Sequence, residues 1–193
     1  MSKATAPLFS FGARGSLGKA IVYSVWKGIS TVRKFTAPSN PNTDPQQTQR
    51  GYFATAVAAW RNSFTAPTGV AAWNMLASVA PNPMSGFNAF TSEMALLQPT
   101  VPDPSIGNGI SVAAQVATIA MKQLVDGTAG DEAGNFTIMV GASKSSLLSV
   151  GTAAIAAGNI VTPDLGNANA VKYVKLTKGG YDRSGIYKIT LLA

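Results

Sequence analysis

Side chains that could do acid, base, nucleophilic or metal chemistry are scarce in this chain. Its 193 residues include no cysteine and no histidine, and only eight of them are aspartate or glutamate. Thiolate metal sites, cysteine nucleophiles and Ser-His-Asp triads are therefore excluded. We expect the chain not to be an enzyme, and we predict no cofactor and no small-molecule substrate.

Asp131 and Glu132 are the only carboxylates that are adjacent in the sequence. They lie in residues 127–134, a glycine-rich segment that is typical of a solvated loop between strands. A calcium loop requires more oxygen ligands at regular spacing, and an acid–base pair requires two groups in contrasting environments. The sequence indicates neither, so we predict two solvated carboxylates and no metal site.

Residues 12–20 carry a glycine pattern that superficially resembles a phosphate-binding loop. In the motif GxxxxGK[ST], the first glycine would fall at Ala13 and the metal-binding hydroxyl at Ala20. The segment also precedes a predicted strand, whereas a phosphate loop leads into a helix whose N-terminus helps to hold the phosphates. We therefore predict no nucleotide site here.

Positive charge is concentrated in the first third of the chain. Residues 1–61 contain eight basic residues and one acid, Asp44, and this excess of seven equals the net charge of the whole chain. Such asymmetry points to an acidic partner or to nucleic acid, although a solvated basic face without a partner is the alternative. The candidate partner-binding residues of this basic face are Arg14, Lys19, Lys27, Arg33, Lys34, Arg50 and Arg61.

The elements that would position these residues begin with a β-hairpin. Residues 19–36 are rich in β-branched and aromatic side chains, and Lys27-Gly28 in their middle supplies a residue that tolerates positive φ. Alternation along the second strand places Arg33 and Lys34 on opposite faces. A flexible glycine-rich arm is expected before Lys19.

Three short helices are predicted after the hairpin. The first is capped by Thr43 or Asp44 and runs to about residue 64, and Ser85 caps the third. The stripe predicted on the first helix is Phe53, Val57, Trp60 and Phe64. We also predict that Trp26, Trp60 and Trp73 share one small core, because each aromatic buries a large area.

The remaining chain is predicted to be rich in strands. Residues 98–109 form a proline-rich linker by composition, and residues 110–193 carry β-forming segments with glycine-rich connections. The predicted fold class is α+β, with a basic anchoring module at 1–97 made of a hairpin and three helices, and a small β-sandwich or barrel at 110–193. No apolar run approaches the roughly 18 residues that a membrane span requires, so no membrane partner is expected.

The order of short motifs in the first half carries a resemblance. These motifs are Gly18-Lys19-Ala20, Trp26-Lys27-Gly28-Ile29, Val32-Arg33, Asn40-Pro41-Asn42-Thr43, Gln46-Gln47-Thr48-Gln49-Arg50, Ala72-Trp73-Asn74 and Ser85-Gly86-Phe87-Asn88-Ala89-Phe90. Together they resemble an N-terminal module of uncharacterised tailed-bacteriophage virion structural proteins, over about residues 10–97. No functional site residues of this chain can be assigned from the resemblance.

The resemblance implies a virion component of the capsid, the head–tail region or the tail, as a minor capsid or decoration protein for example, assembled in the host cytoplasm. Its implied partners are other virion structural proteins and copies of itself. The alternative is a non-specific nucleic-acid-binding protein that uses the same basic face, because Tyr23, Trp26 and Phe35 are interleaved with the basic residues.

Overall fold

The computed structural model describes residues 2–3, 14–64, 66–166 and 169–191, with only the backbone of residues 2 and 3. The chain divides into two compact units, Met1–Asn42 and Thr43–Ala193, which are treated separately below. Most of the arm predicted before Lys19 lies outside the described residues.

The first unit is an antiparallel sheet of four strands in the order β1-β4-β3-β2. Its strands are β1 (Ser2–Lys3), β2 (Gly15–Leu17), β3 (Ile21–Trp26) and β4 (Ile29–Lys34). The predicted hairpin is confirmed: Lys27 and Gly28 connect β3 to β4 with φ values of 49° and 79°. Two consecutive positive φ values are typical of the tight hairpin turn whose twist matches that of the strands.

The glycine-rich segment before Lys19 is not entirely an arm. Residues 15–17 pair with β3, with Gly15 opposite Tyr23 and Leu17 opposite Ile21. The end of the predicted arm is therefore the edge strand of a sheet, since its backbone N–H and C=O groups find partners there.

The second unit begins with the three predicted helices, which are α1 (Asp44–Asn62), α2 (Pro67–Val79) and α3 (Gly86–Leu97). A proline lies in the first turn of α1 and of α2, where its missing N–H is tolerated. Ser85 caps α3 as predicted, because its hydroxyl accepts a hydrogen bond of 3.2 Å from the N–H of Asn88.

Aromatic rings centred on Phe90 form the core of the helical part. Trp73 lies edge-on to Phe90 with 5.2 Å between ring centroids, and Trp60 and Phe64 lie at the same distance from it. The prediction that Trp26 joins this core is wrong, because Trp26 belongs to the first unit and is 68% exposed.

The predicted burial of Phe53 is also wrong. Phe53 is 53% exposed, whereas Ala56 and Ala59 are the buried residues of α1. Small residues at these positions let α1 approach α3 closely.

Antiparallel strands make up the rest of the second unit and complete the predicted α+β class. One sheet has the order β5-β6-β9, and the other has the order β11-β10-β7-β8 with β12 also paired to β10. Buried residues of both sheets form a single apolar cluster. The strands are β5 (Ser105–Ala113), β6 (Val116–Gln123), β7 (Asn135–Ser143), β8 (Ser146–Ala154), β9 (Asn159–Val161), β10 (Val171–Lys178), β11 (Tyr181–Asp182) and β12 (Tyr187–Thr190).

The boundary between compact units differs from the linker that the composition indicated at 98–109. Strand β5 begins inside that segment, and its Ile106 is buried in the helical core. The N–H of Ile186 also donates a hydrogen bond of 3.0 Å to the carbonyl of Ala72 in α2. Helices and sheets therefore form one unit, and the division falls after Asn42.

Candidate functional site

The sheet of the first unit has no interior of its own within the described residues. Every residue from 14 to 42 is exposed or half-buried, and none is buried. An antiparallel sheet normally packs one face against a core, and a stable isolated sheet needs an apolar face with a covering layer. Both faces of this sheet are therefore accessible to another molecule that could act as the covering layer.

One face of this sheet carries a row of aliphatic side chains. The register places Leu17 opposite Ile21 on the two neighbouring strands, and Val25 lies on the same face, with the half-buried Tyr23 between Ile21 and Val25. The side chains of Leu17, Ile21 and Val25 are 53%, 36% and 38% exposed. Lys34, which pairs with Ile21, adds a positive charge at the end of the row.

The other face combines an exposed pair of one aromatic and one aliphatic side chain with polar side chains. Trp26 pairs with Ile29 beside the turn, and the two are 68% and 47% exposed. The hydroxyls of Ser24 and Thr31, the next residues of this face on the two strands, lie 2.9 Å apart in a hydrogen bond. Arg33, paired with Val22, adds the charge on this side.

Positive charge surrounds this sheet without any negative charge. Residues 1–42 contain six lysines and arginines and no aspartate or glutamate. Lys19 and Lys27 lie in the turns at the two ends of β3, and Arg14 directly precedes β2. The five predicted residues of this unit are all exposed, and they are distributed over both ends and both faces of the sheet.

The two remaining predicted residues, Arg50 and Arg61, belong to α1 in the second unit. They are eleven positions apart, which brings them to within about 20° of each other around an α-helix. Both are exposed, on the side of α1 opposite the buried Ala56 and Ala59. Phe53 borders this side, so α1 also combines positive charge with an exposed apolar ring.

The prediction that Glu132 is solvated is wrong, although its neighbour Asp131 is exposed. The Glu132 carboxylate accepts two hydrogen bonds from Arg183, and it lies 2.8 Å from the ammonium of Lys178. It also accepts a hydrogen bond of 3.0 Å from the N–H of Ser105. These contacts occupy both oxygens of the carboxylate and hold strands together. Glu132 therefore has a structural role.

Clusters that could hold a metal ion are absent from the described part of the chain, where no three His, Cys, Asp or Glu side chains are grouped together. None of the helices in the same residues combines the length and the apolar character that crossing a membrane requires. The surface that stands out is therefore the uncovered sheet of the first unit.

Comparison with known proteins identifies no relative of this chain. No family model matches the chain, and neither the curated proteins nor the solved structures contain a match.

Proposed function

We propose that this chain is a bacteriophage virion structural protein that docks through its basic N-terminal sheet onto an acidic surface of a neighbouring virion protein. The resemblance of residues 10–97 to a virion module supports the setting. The place in the particle would be the capsid, as a minor or decoration protein, the head–tail region, or the tail.

The observation that carries the docking role is the uncovered sheet of the first unit, in which none of residues 14–42 is buried. Its exposed aliphatic row would be buried by a protein partner, and burial of apolar surface stabilises by roughly 25 cal/mol per Å². Leu17, Ile21 and Val25 supply this row on one face, and Trp26 supplies the largest exposed ring on the other.

The positive charge of residues 1–42 indicates which kind of partner the sheet would bind. Two copies of this sheet facing each other would bring together twelve basic residues, six from each copy, without one acid between them. Like charges at such an interface are unfavourable, whereas an acidic partner would neutralise them. Contacts between copies of the chain, which we also propose, would therefore use residues 43–193.

Non-specific binding of nucleic acid by the same basic residues is the second candidate. Tyr23, Trp26 and Phe35 could stack on bases while Arg33 and Lys34 contact phosphates. The aliphatic row at Leu17, Ile21 and Val25 favours a protein partner instead, because aliphatic side chains offer bases no aromatic surface for stacking.

Incorporation into phage particles tests the docking role. We expect the protein in purified particles at a fixed copy number, measured by quantitative mass spectrometry. We expect the triple substitution Arg14→Glu, Arg33→Glu and Lys34→Glu, which lies within the first unit, to abolish incorporation. Circular dichroism of the purified variant would show that the fold is retained. Substituting Lys144, Lys172 and Lys188 by Glu makes the same total change of charge in the second unit and serves as the matched control. Normal incorporation of the first variant, or absence of the protein from particles, would overturn the proposal.

A second pair of substitutions separates the two candidate functions. Leu17→Ser with Val25→Ser removes apolar area from the sheet and leaves every charge in place. Protein docking predicts that this variant loses incorporation, whereas nucleic-acid binding predicts unchanged affinity for DNA with a steep dependence on salt. If the purified wild-type protein binds neither single-stranded nor duplex DNA at low salt, the nucleic-acid alternative is refuted.

A further inference from the structure

A cleft in the second unit has no part in the docking surface described above. It has a volume of about 300 Å³, at the lower end of the range for small-ligand sites. Its apolar wall comes from α2, the following loop and α3, and consists of Trp73, Leu76, Ala77, Val79, Ala80, Met84 and Ala89. Three polar residues, Ser92, Glu93 and Asp182, complete the lining.

Glu93 is the unusual member of this lining. It is half-buried, and one carboxylate oxygen accepts a hydrogen bond of 2.7 Å from the backbone N–H of Asp182. Burial raises the pKa of Glu93 above its ordinary value, and this effect exceeds the lowering by that hydrogen bond. The negative charge of Asp182 raises the pKa further, while the positive charges of Lys175 and Arg183 lower it.

The cations near Glu93 have other partners. Lys175 lies 2.8 Å from the carboxylate of Asp182, and Arg183 binds both oxygens of Glu132. Among the described residues, no lysine or arginine forms a salt bridge with Glu93. A partly desolvated carboxylate thus borders an apolar cleft without a paired cation, an arrangement that a cation from outside would stabilise.

We propose that this cleft binds a primary ammonium group carried on a short apolar chain. Glu93 receives the ammonium, and the wall formed by α2, its following loop and α3 receives the chain. The natural source of this chemistry is a small free amine or the lysine side chain of another protein.

The geometry of Glu93 favours an ammonium over a guanidinium. Arginine binds carboxylates best through two parallel hydrogen bonds that use both oxygens, as Arg183 does with Glu132. At Glu93 one oxygen already accepts the N–H of Asp182, so a guanidinium would have to share that oxygen. Arg183 shares one oxygen of Glu132 with the N–H of Ser105 in this way. The compact ammonium binds as a point charge and needs only the other oxygen.

Titration with n-butylammonium tests the site through the indole N–H signals of the ¹⁵N-labelled chain. Trp73 lines the cleft, and substituting Trp26 and Trp60 by Phe in turn identifies its signal among the three tryptophans. We expect a saturable shift of the Trp73 signal, with binding weakened about tenfold or more for n-butanol and in Glu93→Gln, and weakened less for n-butylguanidinium, which keeps the positive charge. The matched control Asp131→Asn removes an exposed carboxylate elsewhere in the unit and should bind as the wild type does.

A second variant tests the cleft without changing the charge of Glu93. Ala89→Leu narrows the cleft and retains Glu93, so it should also abolish binding while the rest of the spectrum is preserved. An absence of any saturable shift, equal binding of n-butanol, or unchanged binding in Glu93→Gln would each overturn the proposal.

The same titration with Nα-acetyl-lysine methylamide distinguishes the two sources of the ammonium. Affinity comparable to that of n-butylammonium would assign the site to a lysine side chain of a partner protein. Binding of n-butylammonium alone would assign it to a small free amine. Both results support an ammonium site. If neither probe binds, the proposal of an ammonium site is refuted.

Discussion

Arg183 donates two hydrogen bonds to the two carboxylate oxygens of Glu132, at 3.0 and 3.1 Å, across 51 residues of sequence. The guanidinium side chain is only 2% exposed, and the carboxylate is 13% exposed. Lys178 joins the same carboxylate, and its ammonium lies 4.5 Å from the centre of the Phe136 ring. Burial lowers the pKa of Arg183, and the charge of Glu132 opposes that effect.

Breaking this pair from either side should destabilise the second unit. Glu132→Gln leaves the buried guanidinium of Arg183 without its counter-ion, and we expect it to lower the free energy of unfolding by about 3–5 kcal/mol. Arg183→Met leaves Glu132 paired with Lys178, so we expect a smaller loss. Urea unfolding followed by circular dichroism measures the loss. The double variant should lose less than the sum of the two single variants, because both single changes remove the same interaction.

The neighbouring Asp131→Asn is the control for this pair. Its side chain is exposed, so we expect a change within about 0.5 kcal/mol. A loss at Asp131 as large as the loss at Glu132 would contradict the assignment of the ion pair as the stabilising contact.

Gly185 should tolerate no side chain. A Cβ at this position would overlap the backbone carbonyl of Ala72 and the backbone nitrogen of Trp73 in α2. Both obstacles are main-chain atoms, which cannot move aside as a flexible side chain would, and we expect Gly185→Ala to cost about 3 kcal/mol of unfolding free energy. Thermal unfolding of the purified variant measures the effect.

Gly51→Ala supplies the matched comparison for Gly185→Ala. Gly51 lies within α1, and no atom is within 4 Å of the position of its missing Cβ. We expect a gain of about 1 kcal/mol, since alanine is the better helix former. Equal effects of the two substitutions would show that the close approach at Gly185 is not what limits the side chain.

The stability of the second unit should depend on pH through Glu93. Because burial raises the pKa of Glu93 in the folded chain, its neutral form is favoured by folding, and this contribution is complete below pH 4.5, its ordinary value. The contribution is lost as pH rises through the raised pKa. Glu93→Gln imitates the neutral acid, so its stability relative to the wild type should increase from about pH 4 to neutrality. Urea unfolding at several pH values checks this, and parallel stability curves for the two proteins would contradict it.

The turn between β3 and β4 should respond to its two central residues in opposite directions. Asn tolerates positive φ better than Lys, so Lys27→Asn should strengthen the hairpin, whereas Gly28→Val should weaken it by about 1–2 kcal/mol. Amide hydrogen exchange of β3 and β4 reports both effects. Exchange that is unchanged in both variants would contradict the role of the turn.

Local signals explain which parts of the fold were predictable. The hairpin follows from Lys27-Gly28 between alternating segments, and α3 begins where Ser85 can cap it. Such features depend on residues a few positions apart, whose conformational preferences act without the rest of the chain.

Contacts between distant segments explain what was missed. The sequence around Glu132 resembles a loop, and nothing in it indicates that Arg183 will approach from 51 residues away. The exposure of Trp26 was missed for a related reason. An aromatic residue predicts a core, but the strand that carries it lies in a sheet with no covering layer within the described residues. The cleft at Glu93 likewise requires α2, α3 and β11 to be in place.

The exposed faces of the first unit have a consequence for the protein before assembly. Free copies carry apolar rows that could adhere to one another, and the six uncompensated positive charges of residues 1–42 oppose that adhesion by mutual repulsion. The same charges thus confer colloidal stability on the unassembled chain. Salt shortens the range of this repulsion, to about 3 Å at 1 M. We therefore expect the free protein to remain dispersed at low ionic strength and to cluster as the salt concentration rises.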